Sequence, residues 1–270
     1  MRSLQNWIAD VRIRKHLSIA ATLAAFSLLL LCGCGRIGVK QELPSPTPDG
    51  ARKLITENAN KLTRYEADFS FSFQAMLFKG TFFGQSFMHY PDRFAASLKA
   101  PLGIRAGDLV VIDGKYELNL GNGQVMDGDI STLDLMSMTG IPLPTDDLLM
   151  LFDVAARPPA KLDRTLGFEI VGNDSLWVWR LDDGELERQI ELSPREGRVL
   201  QESWIDREGS LKLKKTYLKP EWGSGAVYAR QVRIAAQGKL PVVFDLTVNR
   251  IALNPKWKES PFRFKWTVES

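Results

Sequence analysis

The stretch DFSFSFQAML (residues 68–77) alternates without a break. Phe69, Phe71, Phe73, Ala75 and Leu77 are apolar, and Asp68, Ser70, Ser72 and Gln74 between them are polar. A period of two fits a strand with one covered and one wetted face. Strand-like runs follow: GTFFGQSFMHY, RFAASLKA, DLVVID, KYELNL and GQVMDG, then FEIVG, SLWVWRL, LERQIELS, RVLQESWID, LKLKKTYL, VYARQVRIAA and VVFDLTVNRIAL. Gly, Pro or Asp separates them at short intervals, as in an antiparallel meander. The tail PFRFKWTV is a candidate for one more. So many strands with so few helices predict a mainly β fold, a half-open antiparallel β-barrel of about 11–12 strands.

Two segments change the period. In PDGARKLITENANKL, the residues Ala51, Leu54, Ile55, Ala59 and Leu62 recur at helical spacing, predicting an N-terminal helix over 49–63. In DISTLDLMSMTGIPLPTDDLLMLFDV (residues 129–154) the pattern predicts a short helix near 131–138 and a break at GIPLP. A second helix follows near 145–153, N-capped by Thr145 or Asp146. This would be a helical lid inserted in mid-sheet. These helices are too few to cover the whole inner face of the sheet. The expected consequence is an apolar hollow able to take a lipid or another ligand. Phe69, Phe71, Phe73, Trp177 and Trp179 are candidates for its wall, and Met126 for an adaptable part of it. Leu133, Met136, Leu148, Leu149 and Phe152 are candidates for the lid's inner side. Ordinary core packing would use the same residue types.

The chain opens like an exported protein. Arg12, Arg14 and Lys15 precede the apolar run LSIAATLAAFSLLLL (residues 17–31), which is short for a membrane span and suited to a signal-peptide core. The run ends in LCGCG. Residues 31–34, L-C-G-C, resemble a bacterial lipobox, with Gly33 before the cleavage point and Cys34 as the lipidated residue. A disulfide between Cys32 and Cys34 is disfavoured by one intervening residue. A zinc half-site lacks partner ligands. An uncleaved anchor is the remaining rival. The lipobox reading divides the chain into a signal peptide (1–33), a lipidated, proline-rich tether (34–48) and a folded domain (49–270). Gly35, where lipoproteins kept in the inner membrane carry Asp, implies sorting to the outer membrane, facing the periplasm.

Charge and chemistry narrow the function classes. Of 35 basic and 32 acidic side chains, four and one lie in residues 1–33, so the remainder is in balance. No bulk charge draws the mature chain to nucleic acid. The two histidines are His16, inside the signal, and His89. A multi-histidine metal site is therefore out of reach, and no phosphate-binding glycine loop is present. GNG at 121–123 reads as a hairpin turn. The chain is read as a non-enzyme without cofactor or metal. A hydrolase using two converging carboxylates stays open as a third reading.

One turn stands apart. In SLKAPLGIRAGDL (residues 97–109), Pro101 and Gly103 make a common turn, yet a bare leucine, Leu102, sits between them.

DRFAASLKAPLG resembles a segment of the form drYRLxLxNPLG in LolB, and MSMTGIPLPTDDLLMLF resembles LTGxPIPLxxLxxWLxG of the same family. The lipobox, opening helix, aromatic first strand, PLG turn and GIPLP break come in that family's order. Ala100 stands where the family has Asn, and Phe152-Asp153 where it tends to Leu-Gly. The ending LTVNRIALNPKWKESPFRFKW is more similar to that of LolA. The resemblance to this LolA/LolB lipoprotein-localisation superfamily implies a half-open barrel whose helices lid an apolar cavity. It implies that Pro101, Leu102 and Gly103 form a loop whose leucine enters the membrane. It implies partners: lipoprotein acyl chains or other lipid, a periplasmic LolA-like carrier, and the membrane through the N-terminal lipid. The expected function is a monomeric, anchored acceptor that inserts lipoproteins into the outer membrane. The alternative is an envelope assembly lipoprotein of the same fold that binds a protein partner and carries no lipid.

Overall fold

The computed structural model describes residues 43–75, 78–132, 152–158, 164–172, 176–237 and 241–264. The signal, Cys34 and most of the tether lie outside them. So do Leu133, Met136, Leu148 and Leu149, and with them nearly all of the two expected lid helices.

One helix, α1 (Pro48–Lys61), precedes the sheet. Thr47 caps its start, the Oγ1 accepting from Gly50 N at 3.1 Å, and Pro48 follows with φ already fixed for a helix. Its buried stripe is Gly50, Ala51, Leu54, Ile55 and Ala59. Its last carbonyls are taken by side chains from far away. Arg157 donates to Ala59 O and Leu62 O at 2.8 and 2.6 Å, and Asn254 Nδ2 donates to Lys61 O at 2.8 Å. These donors end the helix at Lys61, two residues before the sequence expectation.

Thirteen strands follow, all antiparallel in one sheet. They are β1 (Arg64–Ala75), β2 (Phe78–His89), β3 (Arg93–Lys99), β4 (Arg105–Ile112), β5 (Lys115–Asn119), β6 (Val125–Asp129) and β7 (Thr165–Val171). Then come β8 (Leu176–Asp183), β9 (Leu186–Ser193), β10 (Arg198–Asp206), β11 (Leu211–Gly223), β12 (Ala226–Ala236) and β13 (Val242–Leu253). Among the described residues each of the thirteen runs quoted above, the tail candidate apart, corresponds to one strand, so the expected number was short by one or two. The order is β6-β5-β4-β3-β2-β1-β13-β12-β11-β10-β9-β8-β7. The chain thus starts and ends its sheet at the centre, where β1 pairs with both β2 and β13. Its two edges, β6 and β7, are consecutive in sequence. This is the order of an up-and-down barrel laid open between β6 and β7. The insertion expected in mid-sheet therefore bridges the two edges. Of it, the described residues include a single turn, Ile130–Thr132, and the stretch 152–158.

The sheet coils, because inner-face side chains from β1–β4 and β8–β13 join one core with α1. The tail does not add a strand at residues 261–264. Asn254 leaves β13 at φ 50°, its Oδ1 accepts from Thr63 N and Arg64 N, and Pro255 follows. Trp257 and Phe262 then pack on the outer face against Phe87, Ala95 and Val110.

Candidate functional site

Register assigns the inner face. Phe69, Phe71 and Phe73 of β1 lie opposite Gly84, Phe82 and Gly80 of β2 and opposite Val248, Leu246 and Phe244 of β13. The two glycines are there for the rings. A Cβ at Gly84 would come within 2.8 Å of Phe69 Cζ, and one at Gly80 would collide with the ring of Phe73. The row continues outward through Leu98 on β3, Leu109 on β4 and Leu118 on β5 to Met126 on edge strand β6.

The face divides into two parts. Under α1, the side of β8–β12 is solid. Trp177, Trp179 and Trp204 are fully buried there with Leu181, Ile190 and Leu192. Beside them sits a buried ionic group. Glu202 accepts from Arg188 Nε at 3.0 Å and from Tyr217 Oη at 2.6 Å, with Lys215 also fully buried. Burial pushes the Glu202 carboxyl up, but Arg188, Lys215 and the Tyr217 hydroxyl together hold it below its ordinary value. Burial, then Glu202, pushes the Tyr217 hydroxyl well up, so it serves as a neutral donor. The partly open cavity between α1, residues 154–156, the start of β10 and β11–β12 measures ≈20 Å³. That is room for one water and not for a hydrocarbon tail.

The side of β1–β6 is covered differently. The stretch 152–158 crosses it near the start of β1. Phe152 packs on Phe69 and Phe94, with ring centroids 6.2 and 4.7 Å apart, and its carbonyl accepts from Tyr65 Oη at 2.6 Å. Asp153 accepts from Tyr90 Oη and pairs with Arg157 at 3.5 Å. Val154 O accepts from Ala229 N at 2.8 Å on β12. Beyond Phe69, toward the far end of β1, the inner-face aromatic rings stay half-buried, while Leu246 and Val242 of β13 are buried. Phe71 stacks on Phe244 at 5.3 Å and Phe73 on Phe82 at 6.0 Å, and none of these four rings is fully covered. Leu98, Leu109 and Leu118 are half-buried too, and Met126 is exposed. These side chains form a half-buried apolar strip on the inner face, called the trough below.

The β3–β4 turn stands at that end. Gly103 N donates to Ala100 O at 3.2 Å. Leu102 has φ 66° and ψ 13°, the third position of a type II turn, which ordinarily takes Gly or Asn. Its side chain is 99% exposed. An aliphatic residue here meets two penalties in water, one of backbone and one of solvation.

Of the residues singled out in the sequence, the structure therefore brings Phe71, Phe73 and Met126 to the trough and Phe69 and Phe152 to its covered end. Trp177 and Trp179 are placed in the solid part. Sequence reasoning missed Glu202, Arg188, Lys215 and Tyr217. Alternation in β9–β11 does put them on the apolar face, and that mismatch was the available signal. Among the described residues, no three His, Cys, Asp or Glu side chains converge as metal ligands.

No family model matches the sequence, and no curated protein matches it. Solved structures do match. A domain from Vibrio parahaemolyticus named for outer membrane lipoprotein sorting superposes with a TM-score of 0.57 at 11% identity, over 77% of this chain and 93% of that one. A LolA superfamily protein from Nitrosomonas europaea gives 0.55 at 12% identity, over 76% and 94%. A DUF1329 family protein from Desulfovibrio piger gives 0.54 at 11% identity, over 76% and 92%. At such identities what is shared is the fold, and this chain has the fold of the LolA superfamily.

Proposed function

We propose that this chain is an outer-membrane-anchored lipoprotein that accepts acyl chains in the trough of β1–β6 and passes lipoproteins into the membrane. Cys34 would carry the anchor, and a soluble periplasmic carrier of similar fold would deliver the cargo. Transfer needs no nucleotide, because each step runs toward the site that holds the chains better. No enzymatic step is involved.

The observation that carries this reading is Leu102, fully exposed in a left-handed conformation at the end of the apolar row. In lipid the exposed side chain is in its preferred solvent. Its full burial is worth roughly 1.5–3 kcal/mol, a touch weak enough to be released while the anchor holds the protein in place.

A second reading has its own support. The solid packing beneath α1 leaves only ≈20 Å³ there, so an assembly lipoprotein that grips a protein partner would not need the trough. The substitution Leu102→Glu separates the two. It is expected to leave folding and acyl binding intact and to impair release into vesicles. Normal delivery of a lipoprotein by that variant would rule out the tip's role.

A further inference from the structure

Leu102 is not alone at its corner of the sheet. Among the described residues, twelve large apolar side chains are exposed; five of them, Leu102, Ile104, Leu120, Val125 and Met126, lie at the β3–β4 and β5–β6 turns, and a sixth, Phe83, stands on the outer face of β2 beside Lys99. The register explains the gathering. Phe83 lies opposite Lys99, the last residue of β3, and Lys99 lies opposite Arg105, the first of β4. The β5–β6 turn leans on the same place. A Cβ at Gly121 would stand 2.8 Å from Arg105 O and 2.7 Å from Ala106 O, so only a glycine lets the turn lie this close. The two turns are therefore neighbours on one surface.

Both tips project clear of the body, since nothing lies within 4 Å of a Cβ built at Gly103 or Gly123. Residues 100–104 and 120–126 contain no ionisable side chain. Charge resumes at their margins. Lys99 and Arg105 are exposed, Arg105 pairs with Asp108, and Asp127 follows Met126. The β3–β4 tip is apolar, with Lys99 and Arg105 set just behind it, the arrangement of a segment that dips into a bilayer while Lys and Arg stay among headgroup phosphates; the β5–β6 tip is uncharged, with Asn122 and Gln124 at its end and Leu120, Val125 and Met126 at its base.

We infer that the β3–β4 and β5–β6 turns together form one membrane-contact platform, whose occupant is a bilayer surface. This rests on the lipid reading above and extends it. Leu109, Leu118 and Met126 are successive cross-strand neighbours on the inner face, and Val125 and Leu120 flank Met126 at the turn. The platform thus continues into the trough along edge strand β6, whose inner-facing positions nearest the turn are Met126 and Gly128.

The test uses the full-length, lipid-anchored protein in vesicles of phosphatidylethanolamine and phosphatidylglycerol. Cys32→Ser is combined in turn with Leu102→Cys, Leu120→Cys or Glu208→Cys, and the new cysteine carries an environment-sensitive fluorophore. Position 208 lies in the β10–β11 turn and reports on another part of the molecule. The expected result is a blue shift and loss of quenching by aqueous iodide at 102 and 120, with 208 remaining wet. A label that enters at 102 and stays wet at 120 overturns the platform and leaves the single-tip reading standing. Labels that stay wet at both positions overturn both.

Discussion

Two residues carry opposite kinds of strain, and each points to its own role. Leu102 puts an aliphatic chain where water and backbone both resist it, at a turn with other exposed apolar residues beside it. Strain of this kind persists where the surroundings or a function hold it. Glu202 puts a charge where solvent cannot reach, and the surroundings compensate through Arg188, Lys215 and Tyr217. Because its folded carboxyl is held below its ordinary value, its contribution to stability is present above the unfolded pKa and fades as pH falls through the folded one. Glu202→Gln should therefore lower stability near neutral pH by roughly 3–5 kcal/mol, the cost of breaking a buried ion pair. The gap from the unsubstituted protein should narrow as pH drops below about 4. Urea unfolding across that range checks it. A pH-independent difference would contradict the account.

At the scale of elements, the strands were legible and the stretch 152–158 was not. Alternation such as Phe69-Ser70-Phe71 states which side of a strand is covered, and that information is local. The glycines of β2 were not readable in the same way. Gly80 is explained by the ring of Phe73, and Gly84 by Ser97 O on β3 and the ring of Phe69 on β1. The stretch 152–158 was equally hidden, since its partners are distant in sequence. Arg157 fastens the last turn of α1 and pairs with Asp153. Removing it with Arg157→Ala should cost about 2–4 kcal/mol, from two hydrogen bonds to carbonyls and the loss of a partner for a buried carboxylate. Hydrogen exchange should then quicken at the end of α1 before it changes in β1 or β13. Uniform quickening throughout the sheet would mean that Arg157 does not act as a local fastener.

At the scale of the molecule, strand order decides what is possible. A ring of thirteen strands opened between β6 and β7 offers two edges and one long inner face. Among the described residues one helix covers part of that face, and the tryptophans beneath it are fully buried. The half-buried apolar side chains of the trough lie on β1–β6 and the start of β13. The candidate wall from β1 falls there, while Trp177 and Trp179 fall on the other side. Sequence alone could not divide them, because a buried tryptophan and a cavity-lining one share the same alternation. The central claim is that the trough holds acyl chains. It is tested most directly by placing the photoreactive residue benzoylphenylalanine at Phe73, and separately at exposed Trp222, in the full-length protein in cells. Irradiation should yield adducts carrying lipoprotein acyl chains from position 73 and none from position 222. Absence of such adducts at 73, or equal yields at both, would contradict the account.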